Sequence, residues 1–363
     1  MRALALAPEI GLNSPLSSIT ELSACIHQGA WSHLKTMNAT PSSQNFLQAI
    51  RQQVGYAKYV LLDGGHREVR YKWQLDSLNR WAGNLLDQLA SEGVLSPIET
   101  PVASDVELHM LCCHSNVTMG IWSLWSLLRW GDGKMTPVIQ SDGSITPEDV
   151  LRFRKFFPQV RFLLPEEVAS LVDRRLAGSE FDFLRNFSHT HFFGSRLLGS
   201  HMSEHARVVI GLDSDVLIFD RPVEVLEQCT ALNSRAITSF RDTFDWVSVC
   251  APVNELEAQC GARIESRFNG GLVVLPKFGD EQFHFMERML RAYKPEWRTH
   301  YFAEQMLLAM VAGEFGWHEL PPSYEIGEET NSVEAMAIHY VSNQAVRPRY
   351  FSDGLPRLVG RRP

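Results

Sequence analysis

Two acids one residue apart, Asp213 and Asp215, stand between the apolar runs Val208-Val209-Ile210-Gly211-Leu212 and Val216-Leu217-Ile218-Phe219. The first run reads as a buried strand, and a period of two puts both carboxylates on one side of an extended backbone. Paired carboxylates repel unless a cation lies between them, and oxygen ligands suit magnesium or manganese. A polar loop at a strand end, or a structural calcium site, accounts for the same triplet.

Three more stretches carry groups that could do chemistry. In Arg267-Phe268-Asn269-Gly270-Gly271-Leu272, an amide side chain and two glycines precede a strand-like run. Glycine lets a ligand approach the backbone closely, and Asn both donates and accepts. An Asn-Gly turn opening a strand fits as well. In Ala337-Ile338-His339-Tyr340 a histidine follows an apolar strand, as a ligand or as an ordinary core or surface residue. In Tyr301-Phe302-Ala303-Glu304-Gln305 an acid and an amide lead a helix, either facing a site or lying on a solvated face.

The elements that must position these groups follow from periodicity. Val106–Cys113 reads as a buried strand, followed by a helix that Ser115 could cap and Gly131 could end. Thr136–Gln140 reads as a second strand. A helix then starts with Thr146 as cap, Pro147 first and acids in the first turn. Arg161–Leu164 is a third strand. Alternating strands and helices predict a parallel sheet with crossover helices, whose ligands bind at the carboxyl ends of strands. His114, Ser115 and Asp142 fall at such ends.

Residues 1–100 read as a mainly helical appendage. Phe46, Leu47 and Ile50 suggest one short helix, and Trp73, Leu75, Leu78, Trp81, Leu85 and Leu89 a longer one. Ser96-Pro97-Ile98-Glu99-Thr100-Pro101 reads as a linker. Residues 101–350 form the α/β domain, and residues 351–363 a basic tail.

The 363 residues suffice for a large α/β domain and an appendage. A net charge of -8 argues against nucleic acid as a partner. Six cysteines without a CxxC pair, together with an N-terminal apolar run too short for a signal peptide, point to a reducing, cytoplasmic setting. No apolar stretch is long enough to suggest a membrane span. Arg347, Arg349, Arg357, Arg361 and Arg362 face only Asp353 in the last stretch of the sequence. An exposed, solvated tail is expected there, with attraction to anionic lipid at a membrane surface as the alternative.

Taken in order, these elements resemble the GT-A glycosyltransferases, and most closely the glycogenin and lipopolysaccharide galactosyltransferase-like group (glycosyltransferase family 8-like). The resemblance spans about residues 105–350. It implies a GT-A nucleotide-diphospho-sugar transferase fold, with a mixed central sheet flanked by helices. It also implies a metal-dependent hexosyltransferase, with manganese or magnesium held by Asp213, Asp215 and His339. His114, Asp142, Arg196, Ser214, Gly270, Gly271 and Arg347 would then bind the nucleotide-sugar donor, a UDP-sugar by family default. Asn269, Glu304 and Gln305 would lie at the reacting centre. Transfer would go to a carbohydrate, lipid-linked or protein hydroxyl, with retention of configuration. The sequence departs from the family pattern in three places. Ser342 and Asn343 stand where a glycine usually follows the late histidine, Arg347 replaces a lysine at longer spacing, and Glu304 replaces the commoner aspartate.

Two other readings compete. Asp213 could be the nucleophile of a HAD-like phosphatase, although the downstream segment Gly279–His284 lacks the second acid such a site needs. The chain could also be a non-catalytic module that binds nucleotide sugars.

Overall fold

A computed structural model describes residues 66–231, 235–328 and 332–360. The short helix expected around Phe46 lies outside them. Ten strands occur among the described residues. They are β1 (Val106–Cys112), β2 (Met135–Ser141), β3 (Arg161–Leu163), β4 (Val208–Leu212), β5 (Val216–Ile218), β6 (Ile237–Arg241), β7 (Phe268–Pro276), β8 (Trp317–Glu319), β9 (Tyr324–Ile326) and β10 (Ala337–His339).

Seven of them form one sheet in the order β3-β2-β1-β4-β7-β6-β8. β3, β2, β1 and β4 run parallel, as the alternating pattern requires, and β7 pairs antiparallel with both β4 and β6. The sheet is therefore mixed and flanked by helices, as expected. A three-stranded sheet, β5-β10-β9, lies beyond β4, with β10 antiparallel to β5. Cys112 pairs with Ser141, and His109 with Gly211, so β1, β2 and β4 finish nearly in step and present their following loops along one edge.

Local chemistry sets several boundaries. Thr146 caps the helix Pro147–Phe156 through a reciprocal pair with Asp149, as the sequence indicated. Ser115 does not cap the helix Val117–Leu128. It lies in a 3-10 turn, His114–Asn116, and the helix ends at Leu128, three residues before Gly131. That helix is buried along its whole length, so packing holds it where side-chain caps are missing.

The long helix expected from Trp73 onward is present as His66–Ser91. From Gln74 the chain forms one compact unit. Leu78, Ala82 and Leu86, spaced by four, are buried in the core with Trp122, whose indole donates to the Ala82 carbonyl. The stretch read as a linker is tied down as well, since Ile98 N donates to the Phe156 carbonyl at 2.8 Å.

The expectation of an exposed tail is overturned as far as Gly360. Residues 347–360 are helical, with Tyr350, Phe351, Leu355 and Leu358 buried. The arginine count hid an apolar stripe that packs onto the core, and the Tyr350 hydroxyl donates to the Met119 carbonyl. The arginines turn inward too. Arg349 pairs with Asp353, and Arg357 bonds the Ser332 and Ala335 carbonyls. Among the described residues no helix is long and apolar enough to cross a membrane, and five cysteines are present without a disulfide.

Candidate metal and donor site

β4 ends at Leu212, and Asp213 and Asp215 occupy the turn into β5 rather than a strand. The two carboxylates therefore converge through a turn, closed by Val216 N to the Asp213 carbonyl at 3.2 Å, and the period of two is not the reason. The backbone around them is pinned on three sides. Asp213 N donates to the Gly271 carbonyl at 2.8 Å, Ser123 Oγ donates to the Asp213 carbonyl at 2.9 Å, and Tyr340 N donates to the Asp215 carbonyl at 2.8 Å.

His339 ends β10, opposite Val216 of β5. This pairing brings its Nε2 to 3.3 Å from Asp215 Oδ1 and 3.8 Å from Asp213 Oδ2. Ligand atoms of Asp213, Asp215 and His339 all lie within 4.8 Å of one another. Gly271 makes room for the imidazole, since a Cβ there would sit 2.3 Å from His339 Nδ1. At this point β7 leaves its register with β6, where Ser239 pairs with Val273 but Phe240 pairs with Asn269.

Two arginines complete the cluster. Arg196, on the short helix Gly194–Ser200, reaches Asp213 Oδ1 at 2.5 Å and both oxygens of Glu304, at 2.9 and 3.1 Å. Arg347 NH2 reaches Asp215 Oδ2 at 2.6 Å and also bonds the Ser342 hydroxyl. Glu304 is buried at the start of the helix Ala303–Phe315, so the solvated-face reading of that acid does not hold. Burial raises the Asp213 carboxyl above its usual range, and Asp215 pushes the same way against Arg196. Burial acts on Asp215 too, but His339 and Arg347 outweigh it and hold that carboxyl low. His339 is raised, because Asp215 and Asp213 overcome the effect of burial.

Two carboxylates and an imidazole facing one point suit a divalent ion with oxygen and nitrogen ligands. The metal reading fits these residues on a further ground. His339 Nδ1 meets Asn269 Oδ1 at 2.9 Å, so its other nitrogen is the one facing the acids.

The remaining predicted residues are placed as follows. Gln305 Nε2 donates to the Phe268 carbonyl at 2.9 Å. A Cβ on Gly270 would meet Arg196 NH2 at 3.6 Å and Gln305 Oε1 at 3.9 Å, which puts this glycine between them. Ser214 is buried between the two acids. His114 and Asp142 follow β1 and β2 and share Ser144, which accepts from His114 N and donates to Asp142 Oδ1. His114 Nδ1 also contacts Asp149 Oδ2 at 2.7 Å. No contact joins this pair directly to the acids.

Sequence reasoning missed two features. Asp242, directly after β6, is buried and accepts from Asn269 Nδ2 at 2.7 Å. A row of aromatic rings also leads away from Arg196. The guanidinium lies 5.0 Å from the Phe193 ring, and neighbouring rings run on through Tyr301, Phe302 and Trp246 to Phe244. Tyr301 and Phe244 are exposed. The aromatic letters of 301–302 and 244–246 were visible, but nothing in the sequence aligned them.

No protein-family model and no curated protein matches the chain. Solved structures do. The bifunctional glycosyltransferase WbbM, in its apo form, is 16% identical over 70% of this chain and 50% of that one, with a TM-score of 0.49. Mouse xyloside xylosyltransferase 1 is 15% identical over 66% and 99%, with a TM-score of 0.43. The galactosyltransferase LgtC, in complex with donor and acceptor sugar analogues, is 13% identical over 70% and 95%, with a TM-score of 0.38. The chain thus spans half the length of the WbbM chain it matches.

Proposed function

We propose that this chain is a metal-dependent glycosyltransferase that moves a hexose from a nucleotide-diphosphate donor, a UDP-sugar in the first instance, to an acceptor hydroxyl with retention of configuration. The observation that carries the reading is the convergence of Asp213, Asp215 and His339 on one point, with arginines on the outer oxygens of both acids. Manganese or magnesium, when bound there, supplies Lewis-acid stabilisation of the leaving diphosphate.

The chain's own residues do the rest. Arg347 offers fixed positive charge where the diphosphate departs. Arg196 holds Asp213 and Glu304 together, which places the Glu304 carboxylate beside the metal ligands rather than in solvent. Gly270 keeps the backbone between Arg196 and Gln305 bare enough for the sugar to approach, and Gly271 leaves room for His339 beside the donor. His114, Asp142 and Ser214 serve the nucleotide end, and Asn269 and Gln305 border the reacting centre. Acceptor sugar rings stack on the exposed Tyr301 and Phe244, since successive ring contacts connect them to Phe193 beside Arg196. On cysteine usage the reaction belongs to a reducing, cytoplasmic setting. Lipid contact would rest on Arg361 and Arg362, and liposome pelleting unchanged by their removal would end that idea.

The test is a thermal-shift panel of nucleoside diphosphates with and without manganese. A ligand at a hundred times its Kd adds about 2.7 kcal/mol, which moves the midpoint by a few degrees in a chain of this size. A manganese-dependent shift with one nucleotide is expected. No shift with any nucleotide would overturn the proposal. Donor hydrolysis with metal separates an enzyme from a binding module.

A further inference from the structure

A buried chain of hydrogen bonds runs behind the candidate metal site, and each link in it has a polarity. Asp242 is 2% exposed, and its carboxylate Oδ2 receives Asn269 Nδ2 at 2.7 Å. A carboxylate only accepts, so the nitrogen end of the amide must face it. At the other end of the same amide, Asn269 Oδ1 receives Gly271 N at 3.0 Å. A backbone N–H only donates, so the oxygen end must lie there. Two independent partners therefore fix which way round the Asn269 amide sits.

The next link follows. Asn269 Oδ1 also meets His339 Nδ1 at 2.9 Å. An acceptor at that position requires the proton on Nδ1. Nε2 is then the nitrogen that faces Asp213 and Asp215, where a bound cation would take the place of a proton. We infer that Asp242 is a positioning residue of this site. Acting through Asn269, it fixes the Nδ1–H tautomer of His339 and so keeps Nε2 available as a ligand for a divalent cation. The inference rests on the metal reading of the site; what the protein sets by itself is the Nδ1–H bond to Asn269 Oδ1.

The geometry explains why a carboxylate is needed at 242. In Asp242→Asn the new side chain can present either a carbonyl or an NH2 to Asn269. When it presents the NH2, the Asn269 amide turns over and offers its own NH2 to His339 Nδ1, which moves the proton to Nε2. Partners behind a metal-bound histidine typically contribute 10–100-fold in affinity. Asp242 Oδ1 also receives Phe244 N at 3.2 Å, a bond that the amide oxygen of Asn can keep, so the loop after β6 has a partner in the variant too.

Two readouts test this, both on the full chain. The first is a long-range proton–nitrogen NMR spectrum of the histidine rings at saturating magnesium, with His339 identified by the signal lost in His339→Gln. The wild type should show Nδ1 protonated and no proton on Nε2, and D242N should lose that pattern. An Nε2–H tautomer in the wild type, or an unchanged pattern in D242N, would overturn the inference. The second readout is manganese affinity, measured from the free-ion electron paramagnetic resonance signal. Here D242N should bind roughly 10–100-fold more weakly, and equal affinity would overturn the inference. Wild-type protein that binds no manganese would remove the metal reading and the inference with it, whereas normal binding by the wild type with equal affinity in D242N would overturn the inference alone. D242N that keeps the wild-type melting profile and yet loses the tautomer separates positioning from simple unfolding.

Discussion

Asp213 and Asp215 differ although one residue separates them. Burial disfavours the ionised form of both, but His339 and Arg347 outweigh it at Asp215, whereas at Asp213 burial and the neighbouring acids outweigh Arg196 and His339. Replacing Asp213 with Asn removes a metal ligand and a costly buried charge together. D213N should therefore lose the manganese-dependent nucleotide shift while melting within a few degrees of the wild type, which calorimetry with and without manganese would check. Gly271→Ala acts differently. Its new methyl would overlap the His339 ring, so a loss of about 1–3 kcal/mol in urea unfolding is expected, with weaker manganese binding. Arg347→Gln should weaken a nucleoside diphosphate about 10-fold or more, because charged hydrogen bonds contribute about 1.5–3 kcal/mol. A nucleoside without phosphates should be unaffected, and parallel calorimetric titrations would show the contrast. These residues were legible to different degrees. The acids, His339 and Glu304 stood out because their types are costly to bury without a purpose. Asp242 did not, because a single acid after a strand gives no sign of its partner until β6 and β7 are paired.

Elements were read best where periodicity and end signals agreed. The helix Pro147–Phe156 carried both, and β1 and β2 were found within about a residue at each end. The C-terminal segment shows how such reading fails. Its five arginines dominated the composition, while Tyr350, Phe351, Leu355 and Leu358 formed the face that matters. Tyr350 is fully buried and bonded to Met119, so Tyr350→Ala should cost about 3–5 kcal/mol by urea unfolding. A solvated tail would give a change near zero. The same helical segment starts with Arg347, so loosening it should also weaken nucleotide binding without touching the acids.

The parallel half of the sheet was accessible from the alternation of elements, though not its strand order. The antiparallel half was expected only from the family resemblance, since β7 and the small β5-β10-β9 sheet depend on pairings far apart in the chain. On β1, within the sheet, a buried acid shapes the response of the whole molecule to low pH. Glu107 is held down to about 2, as His109, Ser203 and Arg161 together outweigh its burial. Burial also lowers His109 and His201. A carboxyl with a depressed folded pKa adds stability that is complete above the ordinary value and lost as pH falls toward the folded one. Histidines kept neutral by the fold lose stability in the same direction, because the unfolded chain takes up protons first. The melting temperature should therefore fall as pH drops below about 6.5, and more steeply between about 4.5 and 2, with Glu107 alone contributing on the order of 3 kcal/mol. Glu107→Gln should flatten the lower part of that profile.

β5 finds its hydrogen-bonding partner in β10. At about 5–20 residues per second, a ribosome needs on the order of ten seconds to carry the chain from Asp215 to His339. During that interval the two acids exist without the imidazole and without Arg347, and the strand after them has no neighbour. The nascent protein thus passes through a stage in which its sheet can be largely assembled while its most costly charges remain in water, and the last strand to arrive draws them inside.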